Sequence, residues 1–218
     1  MGLTLRLVTT DTDGYVPDVA RHDDIYLDRG LRQNARYFRS CTLAVLNDQQ
    51  RGPDRCPRGS QVGTGTATAY ADGCGRKVRP IEAIRADVAI RLFNGPGGRT
   101  LLAHLRSTSP QFQQAFPVQF QRASNPFGLK LNFDIPQNIQ QPVAGFCAAL
   151  VDTQLTIPRK STTRKVRRRG RTRRVRVGFL TTTSCPRDRQ RKYRNDVILT
   201  NGSTDTAQLT ATATSTCS

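Results

Sequence analysis

The side chains best placed to do chemistry lie in PRKSTTRKVRRRGRTRRVRV, residues 158–177. Arg159, Lys160, Arg164, Lys165, Arg167, Arg168, Arg169, Arg171, Arg173, Arg174 and Arg176 put eleven cations there and no acid. Removing these eleven from the net charge of +18 leaves +7, so most of the cationic excess is local. Charges crowded within a few Debye lengths (~8 Å at physiological salt) create a large positive potential. The planar guanidinium fork grips phosphate with two parallel hydrogen bonds. The chemistry expected is capture of an anionic polymer through residues 159–176: a cell-wall polymer such as teichoic acid, DNA, RNA or an anionic lipid surface. No aromatic interrupts the run to stack on bases, so no specific nucleic-acid readout is expected. The structural alternative is a long solvated hairpin with Gly170 near its tip, because each doubling of loop length costs only ~0.6 kcal/mol.

A second stretch, CPRGSQVGTGTATAYADGC at 56–74, raises the question of a phosphate loop. A Walker loop needs Lys after its last glycine and a helix behind it, and neither is present. GTGTAT at 63–68 also lacks the third glycine of a dinucleotide fingerprint. Alternation predicts a strand instead, with Thr64, Thr66 and Thr68 on one face and Gly65, Ala67 and Ala69 on the other. The small face would let a neighbouring layer approach closely.

The remaining candidates are weak. His22 and His104 are the only histidines, and no Cys/His spacing matches a zinc site. His104 sits on the polar side of its strand and reads as a surface or partly buried residue. Asp11 and Asp13 begin like a calcium loop, but the glycine comes early and His22 stands where a bidentate Glu belongs. The acidic segment 11–28 therefore reads as a solvated loop, one able to offset part of the basic run. No nucleophile elbow is present, and Glu82 is the only Glu. No cofactor, metal or catalytic residue is expected, and the protein reads as non-enzymatic, with a structural or adhesive role and, as the alternative, polyanion binding through the basic run.

The elements that must position these groups are strands. Leu3, Leu5 and Leu7 alternate with polar residues, as do Ile84 to Leu92, Leu101 to Leu105, Phe116 to Phe120, Leu129 to Ile135 and Val151 to Ile157. The same period returns at Val175 to Phe179, Tyr193 to Leu199 and Ala207 to Ala213. NGPGG at 94–98 and Asn201-Gly202 supply turns. Only residues 29–38 suggest a short turn of helix. One-faced strands pack as two antiparallel layers, so the expected fold is all-β: an antiparallel β-sandwich, immunoglobulin-like in the broad sense, with a long basic hairpin. The reading is one domain over 1–218 carrying the hairpin 159–176, with a division near 158 as the alternative.

Hydrophobic residues make up 36% of the 218 and Trp is absent, so the core must be built from small and aliphatic side chains. Cys41, Cys56, Cys74, Cys147, Cys185 and Cys217 form no CxxC, and an even count in a β-rich chain predicts three disulfides with fifteen connectivities open. That points to an oxidising compartment, secreted or at the cell surface. Disulfide pairing would also remove any Cys–His nucleophile. MGLTLRLVTT lacks the features of a secretory leader, so export is expected only if the natural start lies upstream. No apolar run is long enough for a transmembrane segment. No residue pattern bears on oligomeric state.

The segment IYLDRGLRQNARYF (25–38) followed by SC…CPRGSQVGTGTATA (40–69) resembles a group of uncharacterised secreted β-rich proteins of high-GC actinobacteria, which carry an approximate C…CPxxSxVGxGxAxA motif. RRRGRTRRVRVGFLTTTSCP (167–186) and NGSTDTAQLTATATSTCS (201–218) are similar to their C-terminal part. The resemblance implies local disulfides Cys41–Cys56 and Cys185–Cys217, leaving Cys74 with Cys147. It carries no activity.

Overall fold

The computed structural model describes residues 2–168 and 171–217. The strands are β1 (Leu3–Val8), β2 (Val19–Asp28), β3 (Leu31–Gln33), β4 (Gln61–Gly73), β5 (Ile84–Asn94), β6 (Thr100–Thr108) and β7 (Gln111–Arg122). They continue as β8 (Phe127–Asp134), β9 (Phe146–Ile157), β10 (Ser161–Arg168), β11 (Arg171–Gly178), β12 (Leu180–Thr182), β13 (Gln190–Thr200) and β14 (Asp205–Thr216). Ten of them form one antiparallel sheet in the order β1-β9-β4-β5-β6-β7-β8-β2-β13-β14. Strands from both sides of position 158 thus share one hydrogen-bonded sheet.

The fold is all-β as the alternation predicts. Its two facing layers are the two halves of one curled sheet. Leu5 on β1, Leu92 on β5, Phe116 on β7 and Val197 on β13 line a common interior, although they come from distant positions in the strand order. Period-2 alternation explains this, since an antiparallel sheet that buries one face must send every second side chain inward. The outward partners are polar, such as Arg85 and Asp87 on β5.

Gln61–Gly73 of the 56–74 stretch form strand β4, with Thr64 and Thr66 exposed and Ala67 and Ala69 buried. Its glycines are needed for close approach: a Cβ on Gly63 would lie 2.6 Å from the carbonyl oxygen of Thr156 on β9, and one on Gly65 would overlap Gln154. The three disulfides pair as the resemblance implies, Cys41–Cys56, Cys74–Cys147 and Cys185–Cys217, and no described cysteine is free. Cys41–Cys56 closes a segment that covers the outer face of β5–β6–β7, where Leu46, Phe93, Leu102 and Ala115 form a second small core.

Three expectations need correction. Residues 19–28 are not part of a loop but a central strand of the sheet, paired with β8 and β13. Ile25 and Leu27 had the right period, and packing of those two outweighs the polarity of their neighbours. Residues 29–38 contain strand β3 and only a three-residue 3-10 turn, Ala35–Tyr37. His104 is neither at the surface nor partly buried: it is 2% exposed, shielded by the covering segment near residues 49–54.

Candidate functional site

The basic run forms the hairpin β10–β11, with Thr162 opposite Val177, Arg164 opposite Val175 and Lys165 opposite Arg174. The β-branched residues Thr162, Thr163, Val175 and Val177 favour extended backbone and give the arginines a strand to ride on. The base is fixed to the body. Phe179, fully buried, meets Phe38 edge-on at 5.1 Å between ring centroids. The Asn34 side chain donates to the Gly178 carbonyl at 2.9 Å, and the Phe179 amide donates to the Lys160 carbonyl at 2.8 Å.

Directly opposed residues of an antiparallel pair share a face. One face of the ribbon therefore carries Arg176, then Lys165 with Arg174, then Arg167, and all four are exposed. Successive rows on that face lie ~7 Å apart, two strand residues, so the four cations span ~14 Å. No salt bridge among the described residues involves any position from 159 to 176. The acidic N-terminal segment does not offset this charge. Asp11 pairs with Lys77, Asp24 with Lys130 and Asp28 with Arg191, all on the body. Asp11 also accepts the Asp13 amide, which with Lys77 holds its carboxyl below the usual range.

The other predicted cations are divided. Arg173 and Arg159 are exposed, Arg173 on the opposite face of the ribbon and Arg159 at its base. Arg164 is turned to the body, its guanidinium 4.2 Å from the centre of the Tyr37 ring. Lys160 donates to the Gln61 carbonyl, and burial lowers its pKa. These two hold the hairpin rather than present it. Arg168 ends β10 and Arg171 begins β11, while Arg169 lies outside the described residues.

Sequence reading missed Tyr37 as the docking ring for Arg164, because a contact between residues so far apart leaves no local pattern. It also missed Asp23. This carboxyl faces the interior, is 7% exposed and makes no hydrogen bond among the described residues. Desolvation, with Asp24 and Asp196 nearby, pushes it up to about 7. The signal was present in the period of Asp23, Ile25 and Leu27. His104 is held down to about 4, by burial first and then by Arg91 and Arg106.

No protein-family model, curated protein or solved structure matches this chain. Among the described residues no helix is long and apolar enough to cross a membrane.

Proposed function

We propose that this is a secreted or cell-surface, non-enzymatic β-sandwich with an adhesive role, which binds anionic polymers through one face of its basic hairpin. The observation that carries the reading is the stripe Arg176, Lys165, Arg174 and Arg167, exposed and without an acid partner among the described residues. Like charges directly across a strand pair destabilise it, and Lys165 faces Arg174 in that way. A phosphate or sulfate polymer laid along the stripe relieves the repulsion and releases its own counterions. Three disulfides fit an oxidising compartment, and export to the cell surface is the reading they support best. The broad likeness to immunoglobulin domains, resting on facing antiparallel layers, belongs to the same proposal, as does kinship with secreted actinobacterial β-rich proteins.

A purely structural role for the hairpin is favoured only at Lys160 and Arg164, which contact the body. Heparin and duplex DNA retention across a salt series separates the two readings. Neutralising four phosphates gives a log–log salt slope of about −3.6 on duplex DNA. Retention that ignores salt, or that survives replacement of all four stripe residues by Gln, refutes the adhesive reading.

A further inference from the structure

The interior of the curled sheet holds a cavity of about 130 Å³, walled by aliphatic and aromatic side chains including Leu92, Leu105, Phe116 and Leu155. That is close to the ~150 Å³ of an engineered apolar cavity that admits benzene. The wall has a polar spot. Asp23 on β2 and Asn195 on β13 both line the cavity, and Oδ1 of each is buried without a hydrogen-bond partner among the described residues. They are diagonal neighbours across the strand pair, since Asp23 lies opposite Val197 and Asn195 opposite Ile25.

Both unpartnered atoms are acceptors, so the group that satisfies them must bring at least two donors. An unpaired buried acceptor costs ~1–3 kcal/mol, more when charged. The chain has 34 basic side chains, yet no Lys, Arg or His lines this cavity among the described residues. Of the charged groups on β2 and its two neighbours, His22 and Asp24 on β2, Lys130 and Asp134 on β8, and Arg194 and Asp196 on β13 pair with one another on the outer face, and Arg21 on β2 pairs with Asp205 on β14. The interior carboxyl therefore lacks a cation from the protein itself.

We propose that the cavity binds a small apolar primary amine, with the ammonium donating to Asp23 and Asn195 and a body of about six to eight carbons among the core side chains. The ligand reaches the cavity between β1 and β13, because Leu5, Leu7, Ile25, Asn195 and Val197 line both the cavity and the open cleft that separates the two ends of the sheet. An ammonium supplies three donors and the missing charge. An alcohol supplies one donor and no charge, and a carboxylate adds repulsion from Asp23.

The test is calorimetric or NMR titration of the full-length protein with 2-phenylethylamine, 2-phenylethanol and 3-phenylpropionate at pH 8 and pH 5.5. The amine binds at least tenfold more tightly than the alcohol at pH 8, the acid does not bind, and amine affinity falls at least tenfold at pH 5.5, where Asp23 is protonated. Asp23→Asn removes the preference for the amine, and Ala103→Leu, which fills the cavity while leaving Asp23 in place, weakens both ligands. Replacement of the four hairpin cations by Gln leaves amine binding unchanged. Equal binding of amine and alcohol, no binding by the amine, or an amine affinity unmoved by Asp23→Asn in a folded variant overturns the proposal.

Discussion

The hairpin presents cations and the interior holds one carboxyl, and neither has an oppositely charged side chain beside it among the described residues. On β10–β11, four cations stand exposed with no acid beside them. Inside the sheet, Asp23 stands buried with no base beside it. Elsewhere some charges pair closely, as in Arg191 with Asp28 at 2.9 Å or Lys130 with Asp24 at 2.9 Å, while other cations of the body, such as Arg32 and Arg122, also enter no salt bridge among the described residues. What sets the hairpin apart is crowding: with 34 basic and 16 acidic side chains many cations must lack an acid, but four of them are stacked on one ribbon face, and the one interior carboxyl has no basic side chain beside it among the described residues. The exposed group is held apart by strand pairing and the buried one by the curl of the sheet.

Breaking the scaffold that separates the two regions has the largest effect on stability. Replacing Cys74 and Cys147 by Ser opens a loop with a sequence separation of 73 and costs ~4 kcal/mol in lost chain-entropy restraint, read as a drop in the denaturant midpoint. Arg191→Met leaves Asp28 buried and uncompensated. It costs about 3–5 kcal/mol by the same measurement, because Arg191 also holds the Ser184 carbonyl next to the Cys185–Cys217 staple.

Two buried titratable groups make stability depend on pH in opposite directions. Asp23 has a folded pKa raised to about 7 from 3.8, so the folded state keeps a proton that the unfolded chain loses. Stability from this group is full below about 4 and declines as pH rises to 7. His104 has the opposite sign. Its folded pKa is lowered to about 4, so its contribution is full above about 6.5 and declines as pH falls to 4. The two slopes oppose each other between pH 4 and 6.5. Asp23→Asn therefore gains on the wild type as pH rises, and His104→Gln gains on it as pH falls, each on the order of 3 kcal/mol at the far end. Chemical denaturation at pH 4, 5.5 and 7.5 reads both, and parallel curves for wild type and variants contradict the assignment.

The smallest effect is expected at the hairpin's anchor. Arg164→Ala removes the contact with Tyr37 and costs about 0.5–1 kcal/mol in melting measurements. It leaves polymer retention nearly unchanged, because Arg164 does not belong to the exposed stripe.

Much of this architecture was legible in the residues, and its limits have a physical cause. Alternation located β5, β6, β8 and β13, because one-sided burial writes a period of two into the chain. It also settled β4 against a phosphate loop. The acidic segment was misread because charge was weighted above the period of Asp23, Ile25 and Leu27, although a strand with a polar outer face accepts Asp24 beside Lys130 and Asn132. The eleven cations were visible, but their division was not. Which ones face solvent depends on register and on Tyr37, and both are set by contacts between distant residues. The burial of His104 follows from a covering segment 50 or so residues away, whose position the strand pattern of LLAHLRS does not encode.

The most direct test of the account is the salt dependence of duplex-DNA and heparin binding for the wild type beside a variant carrying Gln at Lys165, Arg167, Arg174 and Arg176. The expected wild-type log–log slope is at least as steep as about −3.6 and becomes shallower by about that amount in the variant, with folding and disulfides intact. An unchanged slope, or a wild type that binds neither polymer at low salt, contradicts it.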